Sequence, residues 1–514
     1  MKEQIRKNRK QIAILVLFVI IIFAVFLYCS YRIETSKSFL YQDEITGQYL
    51  QDIGAKNICY IIVTCLCVYA FVILVFLQDQ YDRGKIKVET VFLLTVPFFC
   101  ILVALAIPMS KGHDETIHGL RIGEYAEGKW ISNGEKAYLE EGVINALDNK
   151  MSYKEILENE KTYSTNTEEI EWGYRIASYS PVNYLPQWIS VAMARVLTDN
   201  SLIHFYIARL ANLISCMALL YLAIKTIPFG KNMLFLLAII PITIEGFSTL
   251  SADGMLVSAS FLWIAYILKL REEKEKKIEK KQIVYLSILA IIIALSKTLY
   301  IVLLPLLFMI PKEKFNSQKA KIGFIITICI ICTILDFGWQ MIGIQKEMQV
   351  EEIVEEHNPV SIMISHPVTY MQKCAYTIIE NLPRLLDEMF GGKLEWNEEI
   401  TIPLFPTIFL LYSIIISIKG EKEIIWKKWE VLLIGGVILT SILLICTGMY
   451  VAWSPLYETT IQGIQGRYFI PIMPLVFLLL GRKFKEDSKT TRNIAIIEVT
   501  MQVLVILEIV LFHI

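Results

Sequence analysis

Residues 88–118 read VETVFLLTVPFFCILVALAIPMSKGHDETIH, and the join in the middle of that stretch decides the fold. From Val88 to Pro108 only Glu89 is charged, over a length that matches the about 20 residues a helix needs to cross a hydrocarbon layer. The run then breaks into Lys111, His113, Asp114, Glu115 and His118. An apolar span thus delivers a charged cluster directly to a membrane surface.

Working outward, the same length of apolar run recurs at 11–29, 57–77, 204–224, 233–249, 253–270, 322–341, 402–418, 430–449, 467–481 and 493–513. The stretch 282–311 is too long for one span and carries Lys297 in its middle, so it reads as two short spans meeting at the outer surface. The expectation is an all-α integral membrane protein, a polytopic helical bundle of about thirteen transmembrane helices. Composition agrees, because 55% of the 514 residues are hydrophobic, 19% are charged and the mean hydropathy is +0.52. A soluble chain could not hide so much apolar surface.

Orientation follows from Lys and Arg in short loops. Lys2, Arg6, Lys7, Arg9 and Lys10 precede the first run, and a seven-charge basic set between Lys269 and Lys281 follows the sixth. The segments 312–321, 419–428 and 482–492 are basic too, while 451–466 has no Lys or Arg. This alternation puts the N-terminus in the cytoplasm and the C-terminus outside, with the first run a retained anchor. The segment PVNYLP at 181–186 leads into an apolar helix, 187–197, that parity assigns to the outer interface. Two long external regions result, 109–203 and 342–401, and unspanned loops of that size usually carry function. Nine of the ten cysteines lie in or beside apolar runs, which excludes a disulfide framework; Cys329 and Cys332 read as small hydrophobes. Nothing marks nucleic acid as a partner.

Asp114 and Glu115 with His113 and His118 at either end form a cluster that could supply a general base or hold a divalent cation such as Mg or Mn. Asp114 could equally be the N-cap of a helix over 115–127, although Ile117 rather than Glu or Gln follows at capping-box spacing. Asp253, in Ser251-Ala252-Asp253-Gly254, is either a cap for the next span or part of the same site. Lys297 either snorkels to the headgroups or pairs with an anion. Arg467, followed by Tyr468, suits bidentate recognition of phosphate or carboxylate. Three carboxylates and two cations therefore gather at span ends on one side of the membrane. That is the outline of a site for a phosphate-linked lipid, with cations for the phosphate and a carboxylate, with or without a metal ion, to activate a hydroxyl.

On these residues the chain resembles the GT-C superfamily of membrane glycosyltransferases, and more closely a bacterial family of predicted membrane proteins of unknown function. The resemblance covers roughly 88–480. Its marks are HDETIH with Gly123-Glu124-Tyr125 and Gly128-Lys129-Trp130, then SPVNYLP, Arg209 early in the next span, SADG, ALSKTLY with Tyr300, and QGRYFIP. It implies a catalytic or metal-linked carboxylate at Asp114 with Glu115 beside it, and a second acidic position at Asp253. It implies the lysine of a short span at Lys297, and a donor sugar on polyprenyl phosphate. The chain departs from the aminoarabinose transferases at Ser180, where they carry a lysine before the proline, and it adds two spans in front.

The expected layout is two extra N-terminal helices in 1–87, a GT-C-like catalytic module in 88–341 with its external loop 109–203, a second external region in 342–401, and C-terminal helices in 402–514. The expected sites are Asp114 and Glu115 for catalysis or metal, and His113, His118, Arg209, Asp253, Lys297, Tyr300, Arg467 and Tyr468 for substrate. The function these imply is transfer of a sugar from a polyprenyl-phosphate donor to an envelope glycan, teichoic-acid-like polymer or glycolipid outside the bacterial cytoplasmic membrane. The alternative is a transporter or flippase of a lipid-linked saccharide, though such proteins tend to show repeated halves and mid-membrane polar residues, neither of which is visible in the sequence.

Overall fold

A computed structural model describes the chain except for residues 1, 37–39, 43–48, 52, 133–135, 141–142, 144–166, 172–178, 274–276, 343–358, 395–399, 402–404, 419–421, 455–457, 482 and 514. Much of the two long regions expected to be external, 109–203 and 342–401, and the centre of the basic run at 271–281, therefore lies outside the described residues. The described chain is mostly helical. In order the helices are α1 (Lys2–Thr35), α2 (Ile53–Asp82), α3 (Val88–Ala106), α4 (Glu115–Ala126), α5 (Leu185–Ala194), α6 (Ser201–Thr226), α7 (Lys231–Ala238), α8 (Pro241–Ser248) and α9 (Asp253–Glu272). They continue with α10 (Lys280–Ser296), α11 (Gln318–Ile342), α12 (Pro359–Ser365), α13 (Pro367–Met389), α14 (Phe405–Ile418), α15 (Lys428–Ala452), α16 (Met473–Leu480) and α17 (Ser488–His513).

Eight described helices, α1, α2, α3, α6, α9, α11, α15 and α17, are long and apolar enough to cross a membrane, or nine if α7 and α8 are one span bent by 64°. The expectation of about thirteen exceeds this for a physical reason. Hydropathy is continuous through 282–311, 402–418 and 467–481, but the chain coils there into shorter pieces: α10, the 3₁₀ segment Thr298–Met309, Thr407–Ile418 and Gly466–Leu480. Pro305 and Pro471 sit inside two of the 3₁₀ segments, where a proline removes an N–H that a regular α-helix would need. The chain is also not purely α, since four short two-stranded antiparallel pairs close loops, among them Lys136–Glu140 with Thr167–Glu171.

Burial is graded across the bundle. In α9, 83% of the apolar window is buried, against 17% in α1, so α9 is the core and α1 is periphery. Small residues allow close approach around α9: a Cβ on Gly254 would meet the Gly246 carbonyl oxygen at 2.7 Å. The two leading helices do not stand apart, because α1 and α2 pack with the C-terminal α17, and Arg32 on α1 donates to Glu508 on α17 at 2.9 and 2.6 Å. The segment expected to lie in the interface is ten residues of α5 entered through the 3₁₀ turn Pro181–Tyr184. That is too short to span. At its end Met193, Val196 and Leu197 are exposed apolar side chains, as lipid contact requires.

Candidate functional site

The site is built where α3 ends and α4 begins. The last carbonyls of a helix have no partner within it, and at the end of α3 an arginine from α6 takes them. Arg209 donates to the carbonyl oxygens of Ala104 (2.6 Å), Ile107 (2.7 Å) and Pro108 (2.8 Å). Its remaining N–H groups form a fork with Glu115 at 2.7 and 2.6 Å, so all five guanidinium donors are used. Glu115 also accepts from the backbone N–H of Gly112 (3.1 Å) and of Leu250 (2.8 Å). Both side chains of the pair are fully buried. Glu115 and Arg209 therefore tie the loop after α3 to the turn before α9, with their polar atoms bonded to one another and to backbone groups. Glu115, expected to act in catalysis or at a metal, and Arg209, expected to bind substrate, are thus placed together as a buried ion pair.

Asp114 goes the other way. It occupies the N-cap position of α4 but makes no side-chain capping bond, and its backbone is left-handed, with φ 55°. Among the described non-glycine residues only Ser110 and Asp114 have positive φ, and both lie in this loop. Aspartate tolerates that conformation better than most residues, though at some strain. The left-handed turn aims the carboxylate away from the helix and onto the guanidinium of Arg467.

Arg467 is the hub. It pairs with Asp114 and, at 3.4 Å, with Asp253, whose other oxygen accepts from Lys297 Nζ at 2.5 Å. The chain Asp114, Arg467, Asp253, Lys297 joins residues up to 353 positions apart. Asp253 is the first residue of α9 rather than its cap, which is Ala252, and Lys297 is paired rather than snorkelling. The Tyr468 ring lies under both cations, 5.0 Å from Lys297 Nζ and 5.5 Å from the Arg467 guanidinium, and Tyr179 flanks Lys297 at 5.8 Å. Tyr300 does not enter the site through its hydroxyl, which donates to the Tyr468 carbonyl at 2.6 Å and holds that segment in place.

Both histidines line the cluster. His113 meets Glu245 through its backbone N–H (3.1 Å) and through Nδ1 (2.7 Å). His118, buried, shares a 2.7 Å hydrogen bond with the Tyr184 hydroxyl. A cleft with room for about 20 Å³ opens between His113, Glu245, Asp253 and Arg467, little more than one water.

Burial alone would raise the Asp114 carboxyl, but the positive charge of Arg467 beside it outweighs this and holds the group below its ordinary range. Burial pushes His118 down to about 4, against the pull of Asp114 and Asp253. His118 is thus neutral in the folded protein near pH 7. In the unfolded chain it protonates from about pH 6.5 downward, so between 6.5 and 4 the unfolded state binds the extra proton and stability falls. The loss should reach on the order of 3 kcal/mol by pH 4. Thermal midpoints of the parent and of His118→Gln across that range check this, since the glutamine variant should lack that part of the decline.

Several contributors escaped the sequence reading. Glu245 is an acidic residue inside the apolar run 233–249, a signal that was available. Glu388, near the end of α13, accepts from the Gly466 N–H at 2.7 Å, and Arg384 donates to the Ile464 carbonyl at 3.1 Å, so α13 clamps the loop that carries Arg467. A Cβ on Gly466 would meet the Leu385 carbonyl oxygen and the Met389 nitrogen, so only glycine fits against this helix. Asn212 donates to the carbonyls of Gly246, Phe247 and Thr249, and Gln187 to that of Ser251, shaping the turn before Asp253.

For a divalent cation the residues do not fit. Asp114 and Glu115 diverge onto different arginines, and among the described residues no group of three His, Cys, Asp or Glu could hold an ion.

A family profile described as a predicted membrane protein (DUF2142) matches residues 94–476, well over half of the chain, and the chain belongs to that family. The match takes in every residue of the ion-pair chain. No curated protein and no solved structure matches.

Proposed function

We propose that this family member is a membrane glycosyltransferase of GT-C type that moves a sugar from a polyprenyl-phosphate donor to an acceptor hydroxyl outside the bacterial cytoplasmic membrane. The observation that carries the reading is the carboxylate of Asp114, turned out of its helix and held by Arg467 beside Asp253 and Lys297. Two acids and two cations in one buried chain balance to zero charge. A donor phosphate entering the narrow cleft would have to displace a carboxylate from a cation, and Arg467 is the cation shared between two acids. When the phosphate takes Arg467, Asp114 loses the charge that depresses it and becomes a better acceptor for a proton. The hydroxyl then attacks the anomeric carbon from the face opposite the phosphate. The new carbon–oxygen bond forms as the bond to the phosphate oxygen breaks, the hydroxyl proton passes to Asp114, and polyprenyl phosphate leaves with its charge held by Lys297 and Arg467. The configuration at carbon inverts. His118, neutral, and Asp253 would position the pieces.

The short apolar helices and the bent pair support a bundle with further, partial crossings beyond the eight long ones. The basic residues Arg271, Lys312, Lys321 and Lys427 lie at the end of α9 remote from Asp253, or on segments packed there, which supports a cytoplasmic placement of that end. The site would then face outward. In a background without the native cysteines, an impermeant thiol reagent added outside should label Lys129→Cys and spare Lys281→Cys. The reverse pattern would overturn this orientation.

Lys297 supplies the direct test of donor binding. Lys297→Ala should weaken binding of a polyprenyl-phosphate sugar by tenfold or more, about the value of one charge-assisted contact, and Lys297→Arg by much less, because the positive charge is what the phosphate needs. Equal donor affinity in parent and alanine variant, measured by intrinsic fluorescence or calorimetry, would count against the reading. A flippase remains the second reading, but the ion-pair chain stands at span ends rather than at mid-membrane, where a transporter places its site.

A further inference from the structure

At the end of the bundle opposite Asp114 lies a cavity of about 560 Å³. Its wall is made by the end of α9, the turn Lys312–Lys314, the start of α11 and the lead-in to α15. The charges along this wall are unequal in their partners. Arg271 is engaged: it forks onto Glu430 at 2.8 Å through two nitrogens, pairs with Glu272, donates to the Ile425 carbonyl and stacks on Trp426 at 4.7 Å. Glu430 also receives the Lys427 N–H at 2.8 Å. Those groups are turned on one another, one guanidinium between two carboxylates.

The lysines are different. Lys321 is 8% exposed, and its ammonium donates to one neutral acceptor, the Phe308 carbonyl at 2.8 Å. Among the described residues no carboxylate lies within ion-pair distance of it. The charged groups that act on it are Glu313 and, in repulsion, Lys427. Over the whole wall four cations, Arg271, Lys312, Lys321 and Lys427, stand against three carboxylates, Glu272, Glu313 and Glu430, and two of those carboxylates are turned onto Arg271. A buried ammonium with two unused donors, facing another ammonium across an open cavity, is costly until an anion arrives.

The surroundings say what kind of anion. Phe308, Ile425 and Trp429 are large exposed apolar side chains on the same wall, 42%, 82% and 43% accessible. A tryptophan beside lysines at a helix end is the composition of a headgroup layer, with acyl chains on one side and water on the other. A free phosphate would need the lysines alone; the apolar rim suits a molecule that carries chains.

We propose that this cavity binds the phosphodiester headgroup of an anionic phospholipid, with Lys321 and Lys427 on the phosphate oxygens, Lys312 at the mouth, and the acyl chains along Phe308 and Trp429. The site is separate from the Asp114 cluster and stands or falls independently of the transferase reading. Basic pockets between membrane helices are a known means of holding such headgroups.

The test uses the purified full chain in mild detergent, with binding read by native mass spectrometry and by the shift in thermal midpoint. Phosphatidylglycerol should bind and stabilise, whereas phosphatidylcholine and inorganic phosphate should not. Lys321→Gln with Lys427→Gln should weaken phosphatidylglycerol binding about thirtyfold, about fivefold for each lysine. If Lys321→Gln fails to fold, Lys312→Gln with Lys427→Gln, both exposed, should still weaken it by a similar factor. Equal binding of phosphatidylcholine, or unchanged phosphatidylglycerol binding in folded variants, would overturn the proposal. A full shift from inorganic phosphate would overturn it in favour of a soluble anion.

Discussion

Arg209→Met is expected to be the most destabilising single change in the protein, removing about 3–5 kcal/mol of stability. The methionine fills much of the volume but supplies none of the five hydrogen bonds. It leaves the Glu115 carboxylate buried without its counter-charge, and the carbonyls of Ala104, Ile107 and Pro108 without their side-chain donor. Each uncompensated group costs its own desolvation, and together they undo the junction from which Asp114 and Asp253 are hung. Arg209→Lys should rescue little, because an ammonium has three donors and cannot form the fork. The midpoint of thermal unfolding in detergent, with size exclusion to score the folded fraction, measures this. If Arg209→Met kept the parent's stability and lost only transfer, Arg209 would belong to the chemistry and the positioning role would be wrong.

Asp114→Asn should behave in the opposite manner. Asparagine is close to aspartate in size, is comfortable in the left-handed backbone that residue 114 adopts, and caps helices about as well. It can still accept a hydrogen bond from Arg467, so folding and insertion should be close to the parent's. What it lacks is a group that can take a proton. Transfer should fall by a hundredfold or more, the order expected on removing a positioned acid–base group. The same change at Glu115 should be read chiefly in stability, because its two oxygens are spent on Arg209 and on backbone N–H groups. The contrast between neighbouring carboxylates, one costing turnover and the other costing fold, distinguishes the geometry from any account in which the pair acts together.

That contrast also marks how far the sequence could be read. The acidic cluster, SADG, ALSKTLY and QGRYFIP could be picked out because charge at the end of an apolar run is conspicuous, and four of those residues do meet in one chain of ion pairs. Which of Asp114 and Glu115 joins that chain, and which pairs with Arg209, could not be picked out. It depends on one left-handed residue and on an arginine 94 positions away. Arg209 was visible as a charge inside a span, but its task is set by where α3 ends in space. The clamp of Glu388 on Gly466 is likewise a contact between distant segments with no local signature. The span count is met in part, by eight or nine long apolar helices among the described residues, since hydropathy reports apolar length and says little about whether a stretch such as 298–309 winds as an α-helix or as a tighter 3₁₀ coil.

The central claim is that this chain breaks the bond between a sugar and a polyprenyl phosphate. Purified protein in liposomes, supplied with a defined polyprenyl-phosphate sugar and a candidate acceptor, offers the most direct test, with lipid products followed by mass spectrometry. The account predicts that free polyprenyl phosphate and glycosylated acceptor appear together with the parent protein and are nearly absent with folded Asp114→Asn. Intact donor that merely changes leaflet at the same rate with both proteins would contradict it and assign the chain to lipid transport.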